Sequence, residues 1–172
     1  MKQPELPEPY ESLYRIQRAL AGHISYLAAC DTNVTFTEYL LYEPILRVLM
    51  TRKYDVQCEV SCADFLEKAE GGDHKRIDFV AKKSGVHFAL EVKWPRKAMR
   101  TLDVRTDHEK LAAFHQKYPA SESFLCVFGR HDHIEKINLS PNCFIKRREL
   151  TPIYAYFRRT QFGCKIYQFE VA

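Results

Sequence analysis

Between residues 11 and 30, apolar residues recur at helical spacing as Leu13, Ile16, Leu20, Ile24 and Leu27, which predicts an amphipathic helix. Asp31-Thr32-Asn33 breaks it. Thr35-Phe36-Thr37-Glu38 has the Ser/Thr-x-x-Glu spacing of a capping box, so a second helix is expected to start there and run to about Lys53. Pro44 has no N–H to give and should kink this helix or delay its regular part. Beyond it the period changes to that of strands, expected over residues 54–60, 75–82 and 86–94, with a turn at Glu70-Gly71-Gly72-Asp73 and a tight connection at Ser84-Gly85. Pro95 ends the third strand. Residues 105–118 return to helical spacing through Leu111, Phe114 and Tyr118. The wholly apolar run 124–129 suits a strand buried on both faces. Strands at 153–158 and 164–171 are expected in a β-rich tail. The order α-α-β-β-β-α-β predicts an α/β domain with a mixed central β-sheet flanked by α-helices.

A length of 172 residues fits one domain over 1–172, and 46% hydrophobic with 28% charged residues excludes a disordered or fibrous chain. The 26 Lys+Arg and 22 Asp+Glu leave a net charge of +4, which permits a nucleic-acid partner without demanding one. No stretch reaches the ~20 apolar residues of a membrane span, and no apolar run follows the first residues as in a secretory signal. A cytoplasmic protein is therefore expected, with Cys30, Cys58, Cys62, Cys126, Cys143 and Cys164 as reduced thiols. Cys58, Cys62 and His74 lack the spacing of a zinc knuckle.

The chemistry concentrates in the second and third strands. Side chains alternate faces along a strand. Ile77 and Phe79 are then expected on one face, leaving Asp78 on the other. In the third strand Leu90, Val92 and Trp94 share one face, and His87, Ala89, Glu91 and Lys93 the opposite one. Pairing through Ser84-Gly85 brings Asp78 and Glu91 to one edge, within about 5 Å if they share a cation. Two carboxylates so close repel, and a hard divalent cation relieves the conflict. Mg²⁺ takes one or two carboxylates plus waters and phosphate oxygens, and a lysine two residues along the strand faces the attacking water or the scissile phosphate.

Asp78, followed after a hairpin by Glu91-Val92-Lys93, resembles the PD-(D/E)XK nuclease superfamily, which includes many restriction endonucleases and Holliday-junction resolvases. Ile77 stands where that family often has proline. The resemblance covers about residues 35–129 and leaves the first helix and the tail unexplained. It implies a restriction endonuclease-like core and a Mg²⁺-dependent DNA endonuclease, with Mn²⁺ as a substitute. Asp78 and Glu91 would hold the metal and Lys93 would position water. These nucleases commonly add an acid from the helix before the sheet. Glu38 and Glu43 compete for that role; about 140° apart on a helix, they do not both face one metal. The resemblance favours Glu38, whose alternative is a capping-box acid. After the third strand, Asp103 to Leu111 resembles the segment that opens the next helix in related nucleases. Asp107 is either a charge on the helix dipole or part of the site, with Lys110 and Gln116 as further candidates to contact phosphate or water.

Around this centre, Lys97, Arg100, Arg147-Arg148 and Arg158-Arg159 are candidates for tracking a DNA backbone, and Tyr154, Tyr156 and Phe157 either stack bases or fill the sheet core. Trp94 is expected to pack beneath the site. The turn Gly129-Arg130-His131-Asp132-His133 reads as a solvated loop. The resemblance allows a homodimer, two sites for two strands. The alternative reading is a non-catalytic nuclease-like module that binds nucleic acid or a protein partner. No Gly-x-Ser-x-Gly elbow or phosphate-cradling Gly-rich loop supports a small-molecule hydrolase.

Overall fold

The first helix, α1 (Tyr10–Ala29), turns Leu13, Ile16, Leu20 and Ile24 inward, the stripe expected from their spacing. Gln17 lies on the same buried face, where its Nε2 donates to the Cys164 carbonyl at 3.1 Å and its Oε1 is left without a partner. In the computed structural model, residues 6–30, 37–63, 75–141, 144–145 and 153–170 are described. The expected break at Asp31-Thr32-Asn33, Thr35-Phe36, the turn at Glu70-Gly71-Gly72-Asp73, His74, Cys143, Arg147-Arg148 and Val171 lie outside them.

The second helix departs from expectation at its start. A 3-10 turn (Glu38–Leu41) comes first, and α2 (Tyr42–Thr51) follows. A regular α-helix from Glu38 would need an N–H at Pro44 to reach the Leu40 carbonyl, and proline has none. Thr37 is the residue before the turn and makes no side-chain cap.

Strands β1 (Asp55–Ser61), β2 (Arg76–Lys83) and β3 (Val86–Lys93) form an antiparallel meander. Gly85, at φ 74, makes the tight β2–β3 turn that a residue with a Cβ would enter only with strain. After β4 (Thr101–Asp103) and α3 (Arg105–Lys117), β5 (Glu122–Arg130) returns parallel to β3. A one-turn helix, α4 (His131–Ile134), replaces the expected loop because Ile134 buries against the sheet's end. Then come β6 (Asn138–Ser140), β7 (Phe144–Ile145), β8 (Ile153–Phe157) and β9 (Thr160–Phe169). The main sheet has the order β1-β2-β3-β5-β9-β7, with β8 also pairing β9; β4 and β6 form a separate two-stranded parallel sheet.

The protein is thus α/β with a mixed central sheet. Helices α1 and α2 cover one face, where Phe79, Phe88, Leu90, Val92, Phe124 and Phe128 are buried. Helix α3 lies over the other, against Ala89, Leu125 and Val127. Covered on both sides, β5 is buried from Ser123 to Gly129, as its apolar run foretells. No helix among the described residues is long and apolar enough to cross a membrane.

Glu8 fastens the start of α1 to this body. Its carboxylate accepts from Ser12 Oγ at 2.6 Å and Tyr54 Oη at 3.0 Å, and pairs with the Arg52 guanidinium. Burial alone would raise its pKa, but the hydrogen bonds from Ser12, Arg52 and Tyr54 and the Arg52 charge outweigh it, leaving the carboxyl below its ordinary 4.5. A depressed carboxyl pKa contributes stability above the unfolded value, lost as pH falls through the folded one. Glu8→Gln should cost about 1–3 kcal/mol at pH 7 by urea unfolding. The wild-type advantage should shrink as pH drops below 4.5; an unchanged difference at low pH would refute the assignment.

Candidate functional site

The β2–β3 ladder runs from the Gly85 turn to Phe79↔Leu90 and ends there. Just beyond, the Val92 N–H donates to Asp78 Oδ2 at 2.6 Å, so a side chain takes a backbone donor at the open end of the hairpin. On the other edge of β2 the register holds on both sides of Asp78, through Cys58↔Phe79 and Val60↔Ile77, while Glu59 adopts φ 53. Regular alternation fails here. Ile77 and Phe79 do not share a face: Ile77 buries with Leu111 on the α3 side, and Phe79 with α1 and α2. The pleat breaks at Asp78 and leaves its carboxylate in the seam between strands.

Strand β3 keeps its expected phases. Leu90, Val92 and Trp94 join the α1/α2 side, with the Trp94 ring 5.0 Å from that of Phe128. The other phase meets α3. Glu91 is 0% exposed. Its Oε2 accepts from Lys110 Nζ at 2.6 Å, while Oε1 is buried without a hydrogen-bond partner. Lys93 Nζ lies 3.1 Å from Asp107 Oδ1, and Lys110 Nζ is 3.1 Å from the same oxygen. Lys110 also donates to the Arg76 carbonyl at 2.9 Å. Burial first, and the Asp78 charge second, push the Glu91 carboxyl well above the usual carboxylate range, against the pull of Lys110. Burial opposes the charge on Lys93 and Lys110, but Asp107 and Glu91 overcome it and hold both ammonium groups more firmly protonated than usual.

The two helix acids part company. Glu38 Oε1 accepts the Trp94 N–H at 2.9 Å, which fixes the backbone directly after Lys93. Glu43 is exposed and pairs with Arg47 one turn on. Gln116 is exposed. Cys58 is exposed and Cys62 buried. Arg158, Arg159, Lys97, Arg100 and Tyr156 are exposed.

Two site residues escape the sequence reading. Tyr42, opening α2, places its hydroxyl 2.6 Å from Asp78 Oδ1 and 2.7 Å from Glu59 Oε1. A phenol has one proton to donate, so the two carboxylates compete for it. Burial, then Asp78 and Glu59, raise the Tyr42 pKa and keep the phenol neutral. Tyr42 lies next to Glu43, one of the two helix acids weighed above; Glu59 carries no local signal beyond being a polar strand residue.

Among the described residues, no three His, Cys, Asp or Glu side chains form a group that would hold a metal ion. Asp78 and Glu91 nonetheless suit a hard cation. They are all-oxygen donors, one with a buried oxygen lacking a partner, and Mg²⁺ ordinarily completes its shell with water and phosphate oxygens. A polar cavity of about 430 Å³ opens at the Lys93–Asp107 pair and is lined by Lys93, Asp103, Arg105, Thr106, Asp107 and Glu109. Comparison with protein-family models, curated protein sequences and solved structures found no match for the chain.

Proposed function

We propose that this protein is a Mg²⁺-dependent DNA endonuclease of the PD-(D/E)XK type. The observation that carries the reading is the buried Glu91 carboxylate, one oxygen without a partner and its pKa raised by burial and then by the Asp78 charge, with Lys93 two residues further along the strand. The order α2-β1-β2-β3-β4-α3-β5, with β3 and β5 parallel and the short β4 outside the main sheet, supports a restriction endonuclease-like core.

In this reading Asp78 and Glu91 hold the cation at the open end of the hairpin, and Lys93 orients the attacking water and faces the developing charge on phosphorus. Glu38 acts through the backbone, fixing the turn after Lys93. Tyr42 holds Asp78 in its rotamer. When bound, the cation supplies charge neutralisation and a more acidic water.

The test is cleavage of plasmid, branched and single-stranded DNA with Mg²⁺ or Mn²⁺, together with binding by the Asp78→Ala variant at two salt concentrations. Metal-dependent cleavage and a binding affinity that falls steeply with salt are expected, because contacts to phosphates release counterions. Salt-sensitive binding without cleavage under either metal would leave the non-catalytic module in its place.

A further inference from the structure

Lys93, Asp107, Lys110 and Glu91 form an alternating chain of charges from β3 across to α3 and back. Asp107 is its hinge. It is 2% exposed, and its Oδ1 lies 3.1 Å from both ammonium groups. A carboxylate in the first turn of a helix gains from the dipole while remaining solvated; that role does not account for burial against two lysines. Lys93 hangs on a flexible four-carbon stem and is 28% exposed at its side chain, so without a partner it would sample many positions.

We propose that Asp107 is the positioning residue for Lys93, holding its ammonium at the mouth of the polar cavity, and that Lys110 ties this pair to Glu91. The inference rests on the nuclease reading. Asp107 is not one of the proposed metal ligands, and its ion pairs are to Lys93 and Lys110. Its loss therefore acts on the rate through Lys93 and leaves the metal ligands in place.

The experiment combines Asp107→Asn, Lys93→Met and the double variant, measured for kcat, KM, Mn²⁺ affinity without DNA, and thermal melting. Asp107→Asn should lower kcat about 10²-fold, the scale of a misplacement near 1 Å, with KM and Mn²⁺ affinity unchanged. In the Lys93→Met background it should add nothing further, since the interaction is already gone. Asp107→Glu should recover part of the rate, and it serves as the probe if the Asn variant does not fold. Additive losses in the double variant, a wild-type rate in Asp107→Asn, or a fall in Mn²⁺ affinity would each overturn the proposal. A wild-type protein that binds no Mn²⁺ and cuts no DNA would instead overturn the nuclease reading beneath it.

Discussion

If the protein is the proposed nuclease, Lys93→Ala should cut the rate of Mg²⁺-dependent DNA cleavage by about 10²–10³ while leaving fold and Mn²⁺ binding intact, the scale of losing one preorganised group that acts on transition-state charge. The structure favours a clean result. Lys93 is on the polar phase of β3, so its removal opens no apolar cavity, and Asp107 keeps Lys110 as partner, so no buried charge is stranded. Glu91→Ala should differ. It removes a proposed metal ligand, and Mn²⁺ affinity should fall together with the rate. Lys110 then retains Asp107 and the Arg76 carbonyl, so the variant should still fold. Calorimetric Mn²⁺ titration, plasmid cleavage and a melt of each variant separate the two. Cleavage by Lys93→Ala at the wild-type rate would mean that the site has been assigned to the wrong residues.

Much of the scaffold was legible because its elements are long and periodic. Helices α1 and α3 and the strands β1, β2 and β3 fall within one or two residues of the positions their spacing predicts. Strands β4 and β6, three residues each, are too short to carry a period. The start of α2 depended on Pro44, whose missing N–H could be read, but not which of two outcomes it would produce. The Glu91/Lys93 phase was legible because β3 is regular. Asp78 was placed by assuming the same regularity for β2, and that assumption fails. A break in the pleat depends on the neighbouring strand, where Glu59 sits at φ 53, and on Tyr42 reaching in from α2. These are non-local facts that no window of sequence contains. Asp107 and Lys110 were visible as charges at the head of a helix; only the crossover that lays α3 over β3 turns them inward.

Phe88→Ala should be the most damaging substitution in the scaffold beneath the site. Phe88 is fully buried on β3, edge-to-face with Tyr54 at 5.5 Å and Phe124 at 5.9 Å. It is three residues from Glu91, on the opposite phase. Removing a buried ring at such a position costs about 3–5 kcal/mol, because the surrounding side chains close the cavity only in part. For a chain of this length that corresponds to a fall of roughly 10 °C in Tm. The site itself should survive, since Glu91 and Lys93 are held from the α3 side. Ligand linkage makes this measurable: a cation at 100 times its Kd adds about 2.7 kcal/mol to whichever folded protein binds it. Mn²⁺ should therefore raise the Tm of wild type and Phe88→Ala alike and leave Glu91→Ala unmoved. If Mn²⁺ stabilises wild type but not Phe88→Ala, the packed face of β3 is needed to hold the carboxylates in place, and scaffold and site are not separable along that strand.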